Sequence, residues 1–147
     1  MAELSHLTHQ PIAIEALLSG LPGPADGAVA TFAGVVRDNQ DGRAVDHLEY
    51  EAHELMAEQQ MSKLSADATG RWGLSAVTMQ HRLGPMAIGE ASVVIAVAAP
   101  HRAEALEACR WLIDTLKAEV PIFKNEFYAD GGSSWVGAPE QGAGSER

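Results

Sequence analysis

The chain has 147 residues, enough for one hydrophobic core and too few for two independent ones. Its composition, 46% hydrophobic and 20% charged, excludes a disordered chain, and a net charge of −10 argues against general nucleic-acid binding, which needs a basic face. A single cysteine, Cys109, excludes an internal disulfide framework and, inside a helical pattern, reads as a buried, inert thiol.

The segment MAELSHLTHQ has neither a basic n-region nor an apolar h-region, so no secretory signal is expected. No apolar run approaches the ~20 residues of a membrane span, and a cytoplasmic location is the expectation. Pro11 followed by IAIEALLS predicts a short helix with proline in its first turn, and LPGPADG is a turn cluster. Gly27 to Arg37 predicts a strand in which Gly34 marks a bulge or a close backbone approach. Asp38 to Gly42 is expected to be a polar, mobile loop. Val45 to Ala52 alternates, with Val45, His47, Glu49 and Glu51 on one face and Asp46, Leu48, Tyr50 and Ala52 on the other. From His53 to Thr69 the apolar spacing of Ala57, Met61, Leu64 and Ala68 predicts a helix, with a connection at Arg71 to Leu74. Two strands, Ala76 to Leu83 and Glu90 to Ala99, are joined by GPMAIG as a wide hairpin turn. A second long helix is predicted from His101 to Glu119, with Leu106, Cys109, Ile113 and Leu116 as its apolar stripe and Glu104 and Glu107 outside. Pro121 stops it, Ile122 to Tyr128 is a last substantial strand, Gly131-Gly132 turns the chain, and Trp135-Val136 packs against something. The order β-α-β-β-α-β-β-α-β, with strands arriving in adjacent pairs, favours an α+β sandwich with a mixed or antiparallel sheet.

Only ten basic residues exist, so their placement carries information. Arg37 ends a long strand, where a guanidinium either grips an anion bidentately or is simply solvated. His101 and Arg102 open a helix, whose free N–H groups and positive end attract anions. Lys117 and Lys124 bracket the Pro121 turn; if the chain folds back there, two ammonium groups share one pocket and lower one another's pKa. Lys117 is equally a good C-terminal cation for its helix. The six histidines form no HExxH, and there is no GxSxG, no GxGxxG and no P-loop, so neither a metal nor a nucleotide cofactor is expected.

Four stretches in order resemble the large, catalytic subunit of molybdopterin synthase: TFAGVVRDNQ at 31–40, LEYEAHELMAE at 48–58, residues 81–126 from HRLGP to FKNE, and WV at 135–136. The resemblance covers roughly 27–136. It implies an α/β hammerhead-type fold with an added small antiparallel sheet, as one domain over 1–137 and a flexible tail over 138–147. It also implies two sulfur transfers onto cyclic pyranopterin monophosphate from the C-terminal Gly-Gly thiocarboxylate of a small ubiquitin-like partner, within a heterotetramer built on a homodimer. No nucleic acid, membrane or bound cofactor is implied. Carried over position by position, Val35, Val36 and Arg37 line the substrate pocket, and His101 and Arg102 hold phosphate or pterin, reaching across the dimer. Lys117 is the central catalytic lysine, and Lys124, Asn125 and Glu126 complete the site. Phe123 stands where many relatives carry Trp, and His53 where many carry an aromatic residue. Two other classes stay in view: a non-catalytic docking module, which needs no paired lysines, and a metal-dependent hydrolase, which needs a carboxylate and histidine cluster that the sequence does not offer.

Overall fold

A computed structural model describes residues 5–136. The tail expected at 138–147 lies outside them. The chain runs β1 (Leu7–Thr8), α1 (Ile14–Leu18), β2 (Ala28–Val35), β3 (Asn39–Gln40), β4 (Arg43–Ala52), α2 (Glu54–Trp72) and β5 (Ala76–Arg82). It continues through β6 (Gly84–Ala87), β7 (Ala91–Ala99), α3 (Arg102–Glu119), β8 (Ile122–Tyr128) and β9 (Ser133–Val136).

Two sheets result, and the α+β expectation holds. The first has the order β1-β5-β7-β2 and is mixed, because β1 joins β5 in parallel while the other pairs are antiparallel. Its middle strand, β7, carries the run SVVIAVAA, with every residue from Val94 to Ala99 fully buried. A continuous apolar run of this kind belongs in a strand covered on both faces. On one face α2 and α3 supply Met61, Leu64, Ala108 and Leu112 to the principal core, together with Ile95 and Val97 of the strand. Toward the other lies α1, fastened by the Thr78 hydroxyl donating to the Leu17 carbonyl at 3.0 Å.

The second sheet is antiparallel, with the order β3-β4-β8-β9 and β6 added beside β4. A smaller core of Val36, Val45, Leu48, Met86 and Tyr128 lies under it.

The structure departs from the sequence expectations at five places. GPMAIG is not merely a turn: Gly84–Ala87 pairs with Tyr50 to His47 of β4. The polar segment after Arg37 is a hairpin, Asn39-Gln40 against Arg43-Ala44, turned by Asp41 and Gly42 with φ of 53° and 81°. Positive φ at both central residues is the signature of a tight hairpin turn matched to strand twist. A register shift between Val45 and His47 swings Val45 onto the face of Leu48, against simple alternation. The helix α2 runs past Thr69 into the first two residues of the expected connection, Arg71 and Trp72, and ends on left-handed Gly73. On α3 the buried stripe is Ala105, Ala108, Cys109, Leu112, Ile113 and Leu116, whereas Leu106 is 61% exposed. Glu104, expected outside, is half-buried with one carboxylate oxygen unpartnered. Alanine made the difference: small residues let the helix sit close on the sheet and pushed the larger leucine to the rim. Gly34 meets both readings at once, since a Cβ there would lie 2.9 Å from Val93 Cγ1 and the register shifts at Gly34/Val35.

Candidate active site

The two sheets and the C-terminal end of α3 enclose a cleft of about 370 Å³. The last residues of β2 supply Gly34, Val35, Val36 and Arg37, and the hairpin behind them supplies Asn39 and Gln40. Leu48 and Tyr50 come from β4, Ser92 from β7, Lys117 from the last turn of α3, and Lys124 and Glu126 from one face of β8. Strand periodicity accounts for the last pair, because residues two apart share a face. Of the chain's three lysines, two therefore stand in this cleft.

The two lysines are in different electrical situations. Lys124 Nζ lies 3.2 Å from Glu126 Oε2, and Glu126 is only 2% exposed. Lys117 has no carboxylate partner among the described residues. It stays open to solvent at the mouth of the cleft, yet enough protein closes around its stem to affect the charge. Burial first, then the charges of Lys124 and Arg37, hold its amine below the ordinary lysine pKa. Arg37 is exposed and donates from Nη2 to Gln40 Oε1 at 3.2 Å, which fixes the guanidinium on the hairpin wall.

Beneath the lysines is a tier of buried polar groups that sequence reading did not pick out. Burial pushes the Tyr50 phenol up; a hydrogen bond with Ser92 opposes this and the Glu126 charge adds to it. The Ser92 hydroxyl donates to the Gly34 carbonyl at 3.2 Å. The His81 ring meets Tyr50 edge-on at 4.7 Å. Its Nδ1 donates to the Arg82 carbonyl at 2.8 Å. Burial chiefly, with Lys117 adding and that carbonyl opposing, lowers His81 to about 4, so it is neutral at physiological pH. Only the alternation of β4, which put Leu48 and Tyr50 on one face, signalled any of this. Ser92 was hidden in an apolar run, and Gln40 in a segment expected to be mobile.

Val35, Val36, Arg37, Lys117, Lys124 and Glu126 are thus brought together; three other expected residues are not. His101 and Arg102 are exposed at the opposite end of α3, roughly 24 Å along the axis from Lys117. Asn125 alternates onto the other face of β8, across from Trp135, where its side-chain oxygen is buried without a partner. Among the described residues no group of three or more histidine, cysteine or acidic side chains is placed to hold a metal, and no helix is long and apolar enough to cross a membrane. Cys109 is buried and its thiol pKa is raised by that burial, as expected of an inert core cysteine.

An α+β scaffold thus sets two lysines and an arginine around an open cleft, with Lys117 lacking a carboxylate partner among the described residues. Comparison with known proteins supplies the family. The family model described as MoaE protein matches residues 7–119. A molybdopterin synthase catalytic subunit of Nostoc sp. is 41% identical over 138 residues, covering 92% of this chain and 84% of the relative. The crystal structure of molybdopterin synthase from Staphylococcus aureus superposes with a TM-score of 0.86 at 34% identity, covering 93% of this chain and 99% of that one. A complex of subunits 1 and 2 of the molybdopterin-converting factor of Helicobacter pylori shares the fold, with a TM-score of 0.70 at 24% identity over 92% of this chain and 90% of that one. The chain belongs to the MoaE protein family, that of the molybdopterin synthase catalytic subunits.

Proposed function

We propose that this protein transfers sulfur to cyclic pyranopterin monophosphate, building the dithiolene of molybdopterin for the molybdenum cofactor. The donor is the C-terminal Gly-Gly thiocarboxylate of a small ubiquitin-like subunit. The reaction takes place in the cytoplasm, on a heterotetramer built around a homodimer of this chain. The observation that carries the reading is the unequal lysine pair: Lys124 bound to a buried carboxylate, and Lys117 without one beside Arg37.

Two anions must meet in this cleft, a cyclic phosphate and a thiocarboxylate, and their mutual repulsion is the first barrier. Arg37 and Lys124 offset it with fixed positive charge, arranged before the reactants arrive. Val35 and Val36 give the pocket wall its apolar part. Lys117, with its lowered pKa, gives up its proton more readily than an ordinary lysine, and as the free amine it can take or return a proton at the reacting carbon and phosphate. Each transfer leaves a carboxylate on the donor tail once water replaces the sulfur. His101 and Arg102, far from their own chain's cleft, serve the cleft of a second copy, where they hold the substrate's phosphate or pterin.

The test is a reconstituted assay of purified protein, thiocarboxylated small subunit and cyclic pyranopterin monophosphate, read as molybdopterin formed. Product requiring all three components supports the proposal. Capture of the small subunit without product would reduce the protein to a docking module.

A further inference from the structure

Resting on that reading, we propose that Tyr128 is a positioning residue for Lys124, acting through the buried carboxylate of Glu126. Lys124, Glu126 and Tyr128 follow one another at intervals of two along β8, so the three side chains share one face of the strand. Glu126 is 2% exposed and Tyr128 8%. The Tyr128 hydroxyl donates to Glu126 Oε1 at 2.9 Å, while Glu126 Oε2 faces Lys124 Nζ at 3.2 Å. The phenol has one proton and the carboxylate takes it. The Ser134 hydroxyl, 2.6 Å from the phenol oxygen, must therefore be the donor in that second contact.

The result is a network that converges on one carboxylate: Ser134 donates to Tyr128, Tyr128 donates to Glu126 Oε1, and Lys124 donates to Glu126 Oε2 from the other side. A carboxylate held by one oxygen can rotate, whereas one held at both oxygens points its second lone pair at a fixed place. That place is the ammonium of Lys124. The phenol is itself anchored on the outside: the Arg43 guanidinium lies 3.8 Å from the ring centroid. Arg43 also donates from Nε and Nη2 to the two carboxylate oxygens of Asp130 at 3.0 and 2.9 Å. The same arginine pairs with Gln40 beside the turn of the hairpin that follows Arg37. One network thus aligns a lysine on one wall of the cleft and reaches the hairpin of the opposite wall beside its turn.

The test compares Tyr128→Phe, which keeps the ring and its stacking on Arg43, with Ser134→Ala and wild type in the full chain. The first readout needs no activity. A small N-hydroxysuccinimide ester acylates lysines, and peptide mass spectrometry follows Lys63, Lys117 and Lys124 separately. Lys63, 74% exposed at its side chain, is the internal standard. In Tyr128→Phe, acylation of Lys124 should accelerate several-fold with Lys63 and Lys117 unchanged, and Ser134→Ala should act in the same direction but less. The second readout is turnover in the reconstituted reaction. Loss of a hydrogen bond to a charged group should lower kcat by about tenfold while KM stays within about twofold. Unchanged labelling of Lys124 overturns the proposal, as does faster labelling of all three lysines, which marks general loosening. A fall in KM-linked binding with kcat intact overturns it too. If wild type itself makes no product, the functional reading fails, while the labelling still decides whether Tyr128 positions Lys124.

Discussion

Lys117 stands in the last turn of α3, where a cation meets the negative end of the helix dipole. By that rule it would favour the charged form; burial and two neighbouring cations work against it, and they prevail. In the proposed reaction Lys117 transfers protons, so Lys117→Ala should lower turnover by about 10²- to 10⁴-fold with an unchanged circular-dichroism spectrum. Substantial residual turnover would reassign the role. The pH profile follows from the direction of the shift. The proposed role makes the free amine the working form, which predicts a rate that rises with pH through the Lys117 pKa. Arg37→Gln removes one of the charges that hold that pKa down, so the rising limb should move to higher pH and KM should increase. A limb that stays put would mean that Arg37 acts on substrate alone.

The hairpin of β3 and β4 is the element that presents Arg37 and Gln40 to the cleft. Its turn requires positive φ at Asp41 and Gly42, and glycine is the residue that tolerates this freely. Gly42→Val places a β-branched residue in a region that costs side-chain-bearing residues roughly 1–2 kcal/mol. The hairpin lies at a sheet edge, so the expected result is a raised KM with only a small loss in melting temperature. A large thermal loss would show that the hairpin is part of the core. Elements were legible in the sequence where periodicity was long, as along α2, α3 and β7. The cleft's cations were legible because they are so few. What escaped notice depended on contacts between distant segments. Strand β6 pairs with β4 only because the second sheet curls beside it, and Leu106 lies outside only because Ala105 and Ala108 let α3 approach the sheet. Asn125 follows Lys124 in sequence, but the strand turns it away, and the fold has to be known before that alternation can be referred to a cleft.

For the whole molecule, His81 makes acid a specific stress. Its folded pKa, about 4, lies below the 6.5 of an unburied histidine, so between those values the unfolded chain takes up a proton that the folded one refuses. Stability is therefore full above the upper value and falls as pH drops through the window, by up to about 1.4 kcal/mol per unit. Denaturant titrations at a series of pH values should show this loss, and His81→Phe should flatten it. Burial pushes the Glu58 carboxyl up, but bonds from Ser5 and the backbone N–H groups of Leu7 and His6 together outweigh it and leave the pKa lowered, so Glu58 acts in a different range. Its contribution is present above the ordinary carboxylate pKa and is lost only below it, so the two groups can be separated. If the slope between the two histidine values survives in His81→Phe, another group carries it.

The strand β7 is bonded to a neighbour along each edge and covered on each face. Its amide hydrogens have no local route to solvent, so they should exchange with deuterium only when the entire chain opens. Binding in the cleft stabilises the folded state as a whole. Ligand affinity is thus written into the exchange rates of residues such as Val97, on a part of the strand that never touches what is bound.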